Sequence, residues 1–300
     1  MRQLIILSGK GGTGKTSIAA ALAHLAVEQA AFARFILADA DVDAANLELV
    51  LNPIPLKHED FWGGQVAKID TNICSNCGEC AQICRFDAIH SLEGNPHVDP
   101  IACEGCAACF YICPLEAISM EIQMAGAWYH SETHGGPLFH AALRPGEENS
   151  GKLVTLIKQH ARLEAMKQED SMLLVDGPPG ISCPVISAIS GADLALIVTE
   201  PSLAGLHDLR RIIETTRHFH VPSVVCINKA DLSSALSRAI EADCQVQGIE
   251  VLGRIPFDRE VTLGMVAGQP VTVFAPESPA SQAIHFIWER IDALLSEDRA

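Results

Sequence analysis

The sequence predicts an α/β fold, a doubly wound and mostly parallel sheet, with a second and smaller domain inserted into it. Three observations carry this. Short apolar runs alternate with longer helical patterns at both ends of the chain. A glycine-rich loop separates the first run from the first helix. A cysteine-dense stretch without helical spacing interrupts the alternation. A chain of 300 residues has room for about two domains.

The elements follow in order. Gln3–Ser8 is a short apolar strand, and Lys15–Ala31, rich in Ala and Leu, reads as a helix. Arg34–Ala38 is the next strand and runs into acidic residues. The alternation resumes with apolar runs at Ser171–Val175, Leu194–Thr199, Ser223–Ile227 and Val251–Ile255. Helical patterns separate them at about Gly151–Lys167, Leu203–Phe219 and Ala235–Gln247. Wholly apolar strands with crossover helices mark a parallel sheet covered on both faces. At the end of the chain, Ser281–Ser296 places Ile284, Ile287, Ile291 and Leu294 at helical spacing, and its acidic residues favour packing on the sheet over membrane binding. Residues 1–63 and 125–300 are thus expected to form the larger domain and 64–124 the insert, with Ala125–Ser150 read as a strand plus loops.

Composition bounds the function. The formal charge is −16, which argues against a nucleic-acid binder and against docking on anionic lipid. No apolar run is long enough to insert in a membrane, and the N-terminus lacks a signal-peptide core, so a cytoplasmic location is expected. Eight of the eleven cysteines lie between Cys74 and Cys113, a pattern that reads as metal ligation rather than disulfides in a reducing compartment.

Gly9-Lys10-Gly11-Gly12-Thr13-Gly14-Lys15-Thr16, followed by Ser17, fits G-x-x-x-x-G-K-[ST] between a strand and a helix. Glycines let consecutive N–H groups face phosphate oxygens, and the helix adds its positive N-terminal end. Lys15 then meets the β- and γ-phosphates of ATP and Thr16 ligates Mg²⁺. Asp39, Asp41 and Asp43 follow the second strand, and Asp176 opens Asp-Gly-Pro-Pro-Gly after Ser171–Val175. Strand C-termini of a parallel sheet face the ligand crevice, so Asp39 and Asp176 are the candidates for the Mg²⁺ site, while Asp43 also reads as a helix cap. Asn228-Lys229-Ala-Asp231 after a strand reads as a base-recognition loop or as a plain Asn turn.

The insert repeats internally. Cys74, Cys77, Cys80 and Cys84 form C-x₂-C-x₂-C-x₃-C, and Cys103, Cys106, Cys109 and Cys113 repeat it 29 residues later. This is the bacterial ferredoxin run, in which three cysteines grip one [4Fe–4S] cube and the fourth serves the other. The expected sets are Cys74, Cys77, Cys80 and Cys113 for one cluster and Cys103, Cys106, Cys109 and Cys84 for the second. Two zinc sites are the competing reading, and they more often use paired C-x₂-C knuckles. Cys226 reads as core, Cys244 as a helix residue of no special role, and Cys183 as a weak cluster candidate. His130, His134 and His140 read as a domain seam rather than a metal site.

Lys10, the Asp-x-Asp pair and Asp-Gly-Pro-Pro-Gly together resemble the deviant phosphate-loop ATPases of the MinD, ParA, Mrp and nitrogenase iron-protein type. The resemblance covers about 240 residues of a P-loop NTPase fold, and with the insert it extends to MinD-type ATPases that carry a two-cluster ferredoxin domain. It implies that Lys10 reaches the partner's phosphates across an ATP-dependent homodimer, or a heterodimer with a close paralogue. It implies that Asp41 handles the attacking water. It also implies that Asn228 and Pro256-Phe257-Asp258 line the adenine pocket. The function expected from these parts is a Mg-dependent ATPase that couples dimer closure to electron transfer through two [4Fe–4S] clusters toward a redox partner. An iron–sulfur carrier serving a cluster-accepting protein, and a spatial organiser with structural clusters, are the alternatives.

Overall fold

The computed structural model describes residues 1–92, 94–144 and 150–297. The chain divides into two compact units. The first holds Met1–His58, Trp128–Ala142 and the chain from Ser150 on, and the second holds Glu59–Ala127 and the segment from Leu143.

The first unit begins with β1 (Arg2–Ser8), the phosphate loop, α1 (Lys15–Glu28), β2 (Arg34–Asp39) and the short α2 (Leu47–Leu51). Helix α1 ends three residues before the expected boundary, where Ala30 turns into the left-handed region at φ 48°. Strand β3 (Ile54–Ile69) leaves this unit for the second, which contains α3 (Glu79–Ile83), β4 (Ile89–Leu92), β5 (Asn95–Val98) and α4 (Ala108–Ile112). Strand β6 (Ile118–Thr133) returns, and β7 (Gly136–Leu143) follows after a two-residue turn. The turn is closed by Thr133, whose hydroxyl donates to the Gly136 carbonyl at 2.7 Å. The chain continues with α5 (Ser150–Ala165), β8 (Ser171–Pro179), α6 (Cys183–Ile189), β9 (Leu194–Thr199), α7 (Leu203–His218) and β10 (Ser223–Asn228). It ends with α8 (Ser234–Gln247), β11 (Glu250–Ile255), α9 (Arg259–Val266), α10 (Val271–Phe274) and α11 (Pro279–Glu297).

Across the first unit the strand order is β11-β10-β9-β1-β8-β2-β7. Every described pairing within that set is parallel. Alternation along β1 explains why both faces are covered. Leu4 and Ile6 join Leu22 and Leu25 of α1 and Ile287 and Trp288 of α11 in one core cluster, while Ile5 and Leu7 are buried on the opposite face. Cys226 and Cys244 are buried, and burial pushes the Cys226 thiol up to about 12, so it is an inert packing group. One buried cation stands out. Lys158 of α5 donates to the carbonyls of Ser187, Ala188 and Ser190 at 2.6–2.9 Å and so caps the end of α6.

In the second unit the sequence repeat is also a repeat of backbone shape. Asn76 and Gly105 both take positive φ (57° and 64°), as do Gly78 and Ala107 (81° and 61°) and Asp87 and Glu116 (49° and 51°). Cys84 and Cys113 end α3 and α4 at nearly the same angles, φ −70°, ψ 110° and φ −68°, ψ 112°. Its small core joins Ala67, Ile89, Val98, Cys109 and Ile118.

Candidate functional site: a phosphate loop and two cysteine pockets

The phosphate loop leaves β1 and enters α1 through Gly12 and Gly14 at φ 78° and 94°, a region that favours glycine. A side chain at Gly14 would also meet the Asn228 amide at 2.3 Å. That amide donates to the Thr13 carbonyl at 2.7 Å, and the Lys229 ammonium donates to the Gly12 carbonyl at 3.0 Å. Two side chains from the end of β10 thus hold the loop's shape. At its other end, Gly9 packs so tightly on Asp208 that a Cβ there would lie 2.1 Å from the Asp208 Cβ.

A cavity of about 520 Å³ opens beside the loop. Gly11, Gly12, Gly14, Lys15, Thr16 and Ser17 line one side, Asp41 and Pro178-Pro179 another, and Asn228 with Pro256-Phe257-Asp258 a third. Val261, Thr262 and Met265 of α9, which no motif marks, complete the wall. Their only sequence signal was their place just beyond Asp258. Gly9 and Lys10 do not line this cavity but a separate small pocket with Thr199, Gly205 and Asp208. Lys10 is instead ion-paired with Glu200, a residue that sequence reasoning did not select.

The carboxylates differ in their surroundings. Asp39 is fully buried, and its oxygens accept the N–H groups of Asp41 (3.1 Å) and Leu47 (3.0 Å). Asp39 and Asp176 are register partners on β2 and β8. Burial raises the pKa of Asp39 well above the carboxylate range, and the neighbouring Asp176 adds to the effect. Burial also raises Asp176, against the pull of Lys15 and Thr16. The Asp176 oxygens meet no donor at full hydrogen-bond geometry, and the Thr16 hydroxyl beside them is their nearest partner. Burial raises Asp41 as well, with Lys15 opposing. Asp43 is exposed, and Asn46 rather than Asp43 precedes α2. Asp258 lines the cavity, yet its oxygens accept the N–H groups of Glu260 (3.0 Å) and Ala280 (3.2 Å), so it anchors α9 and α11. The Phe257 N–H donates to Asp231 at 2.6 Å.

In the second unit, Cys74, Cys77, Cys80 and Cys113 line a cavity of about 190 Å³, with Ile69, Ile89 and Leu115 among its walls. Cys84, Cys103, Cys106 and Cys109 line a smaller one with Ala67, Phe86 and Met120. The Ala88 N–H donates to the Cys84 sulfur at 3.4 Å, and the Ala117 N–H to the Cys113 sulfur at 3.3 Å. Among the described residues, no three His, Cys, Asp or Glu side chains are spaced to hold a single metal ion. His130 stacks on Phe139, and His140 lies between Ser131 (3.1 Å) and Glu48 (3.0 Å). Cys183 is exposed at the start of α6.

Residues 4–271 match the family model of the CobQ/CobB/MinD/ParA nucleotide binding domain. An uncharacterised protein of Methanocaldococcus jannaschii is 32% identical over 289 residues, 96% of each chain. An uncharacterised ATP-binding protein of the same organism is 27% identical over 94% of this chain and 84% of its own length. Among solved structures, the septum site-determining protein MinD complexed with Mg-ADP from Pyrococcus horikoshii aligns with a TM-score of 0.61. That alignment covers 99% of this chain and 98% of the other at 21% identity, a likeness of fold. This chain belongs to the CobQ/CobB/MinD/ParA nucleotide-binding family.

Proposed function

We propose that the chain is a Mg²⁺-dependent ATPase that works as a nucleotide-controlled dimerising switch of the MinD/ParA kind, and that its insert, residues 64–124, holds two [4Fe–4S] clusters. The observation that carries the switch is the cavity where Lys15, Thr16 and Asp41 meet, beside the buried Asp176. Two neighbouring buried carboxylates are costly unless a cation accompanies them, so Asp39 and Asp176 with the Thr16 hydroxyl suit Mg²⁺. Thr16, Asp39 and Asp176 would hold the ion, which would supply charge neutralisation for the phosphates. Lys15 holds the β- and γ-phosphates, and Asp41 orients the attacking water. The water oxygen bonds to the γ-phosphorus, the bond to the β–γ bridging oxygen breaks, and ADP leaves with that electron pair. Lys10 is assigned to the partner's phosphates, and Asn228 with Pro256-Phe257-Asp258 to the adenine.

The cluster assignment is supported by the two cysteine pockets. A cube takes each thiolate on a different iron, so its ligands surround a void and do not converge on a point. Four cysteines line each pocket, Cys113 with the first run and Cys84 with the second, enclosing about 190 Å³ in the first and about 20 Å³ in the second. When bound, such clusters supply one-electron chemistry. Membership of the nucleotide-binding family and the MinD fold favour the switch, with clusters that serve its structure. Electron transfer to a redox partner is the second reading and rests on the complete pair of ferredoxin runs.

Two variants test the ATPase. Lys15→Ala removes a charge-assisted contact to phosphate, so MgATP affinity is expected to fall about 10–100-fold. Asp41→Asn is expected to keep binding and lose roughly 10²–10⁴ in turnover. Calorimetry and phosphate release measure both, and equal loss of affinity in the two variants would contradict the separate roles.

A further inference from the structure

We propose that Glu200 is a positioning residue that holds Lys10 within its own protomer, so that the dimer forms in competition with this ion pair. The inference rests on the ATP-dependent dimer proposed above and adds a control on it.

Glu200 follows β9 directly, and its carboxylate sits between two lysines of the phosphate site. One oxygen is ion-paired with Lys10. The other lies 3.7 Å from the Lys229 ammonium, which also donates to the Gly12 carbonyl at 3.0 Å. The backbone here has little freedom. The Glu200 carbonyl accepts the Ser202 N–H at 2.7 Å, and a Cβ on Gly205 would lie 2.3 Å from that carbonyl oxygen. The Ser202 hydroxyl in turn caps α7 by accepting the Gly205 N–H at 2.9 Å. Glu200 is therefore fixed at its backbone, and its side chain is 19% exposed, against 39% for Lys10.

The consequence is chemical. A carboxylate and a phosphate are both oxyanions, and an ammonium group satisfied by one is less available to the other. Lys10 lies outside the nucleotide cavity of its own chain, in the pocket with Thr199 and Asp208. Its only ionic partner among the described residues is Glu200. Any reach toward a second protomer's phosphates must first break that pair. Because the pair is partly screened by water, it acts as a modest brake rather than a lock.

The test measures the MgATP-dependent dimerisation constant of the full-length, anaerobically purified protein by sedimentation. The chains compared are wild type, Glu200→Gln, Lys10→Ala and the double variant. Glu200→Gln keeps the side-chain volume and removes the charge. It is expected to tighten the dimer about two- to twenty-five-fold, roughly 1.4- to fivefold for each of the two partly screened ion pairs that no longer compete. The affinity of the monomer for MgATP should not change. The protein concentration that gives half-maximal ATPase activity should fall by the same factor, with saturated turnover unaltered. In the Lys10→Ala background the substitution should have no effect, which separates the restraint on Lys10 from a general structural role. Glu200→Asp should restore dimerisation toward the wild-type value. Unchanged or weaker dimerisation of Glu200→Gln, or equal tightening without Lys10, would overturn the restraint and leave the ATPase reading standing. A wild type that binds MgATP yet stays monomeric would overturn the dimer and the restraint together.

Discussion

At the scale of single residues, the site works through contrasts in burial. Lys15 is buried and faces the nucleotide cavity, whereas Lys10, five residues earlier, faces Glu200 outside it. The motif made Lys15 legible because the G-x-x-x-x-G-K-[ST] spacing is short and its chemistry local. Glu200 was not legible. Nothing near it in the chain marks a partner for Lys10, and the two meet only because β1 and β9 are adjacent. His140 shows the same limit. Alone in the sequence it carried little information, but in the fold it is buried and links Ser131 to Glu48. Burial pushes its pKa down to about 4. Its folded-state pKa is thus below the unfolded value of about 6.5, so the unfolded chain binds the proton first. Stability from the neutral imidazole is present above about pH 6.5 and is lost as the pH falls toward 4. Between pH 7 and pH 5 this amounts to roughly 1–2 kcal/mol. His140→Gln should lose less stability over that interval than the wild type does, measured by urea midpoints at the two pH values. An equal loss in both proteins would contradict a buried neutral histidine.

At the scale of elements, what the sequence revealed depended on pattern. The core strands β1, β8, β9 and β10 are apolar on both faces and were visible as continuous runs. Strand β3 was not, because Ile54–Asp60 is exposed throughout and mixes charged with apolar residues, so no period emerges. Strand β8 also ran further than the apolar run indicated, through Asp176-Gly177-Pro178-Pro179. Gly177 explains the extension, since a Cβ there would lie 2.6 Å from the Ile6 carbonyl oxygen and only glycine lets the strands stay this close. In the second unit, equal spacing in the two cysteine runs goes with similar backbone angles, positive φ recurring at the same positions of each run. Cys113 lines the same cavity as Cys74, Cys77 and Cys80, which is what a crossed ligand set needs. The anaerobically purified protein should contain about eight irons and eight sulfides per chain. Cys113→Ala should damage the cluster assigned to Cys74, Cys77 and Cys80 and spare the other, read by iron content and electron paramagnetic resonance. Loss confined to the cluster of its own run would refute the crossing, and stoichiometric zinc with little iron would refute the clusters.

At the scale of the whole molecule, the covalent path matters. The chain leaves the nucleotide-binding unit along β3 and returns along β6. Helix α2, just before β3, is tied to the nucleotide site because the Leu47 N–H donates to Asp39. Glu48 on the same helix contacts His140 of β7, which in turn contacts Ser131 of β6. Both strands that connect the units are thus joined, by chain or by hydrogen bond, to elements beside the carboxylates. Among the described residues no helix is long and apolar enough to cross a membrane.

The central claim is that ATP drives two copies together, and blocking hydrolysis makes it directly measurable. The decisive measurement is the solution mass of Asp41→Asn by sedimentation, anaerobically, with and without saturating MgATP. The account predicts one chain, 32.1 kDa, without nucleotide and twice that mass with MgATP, returning to the monomer when MgADP replaces it. A protein that binds MgATP, as shown by calorimetry on the same sample, yet keeps the monomer mass at every concentration would contradict it.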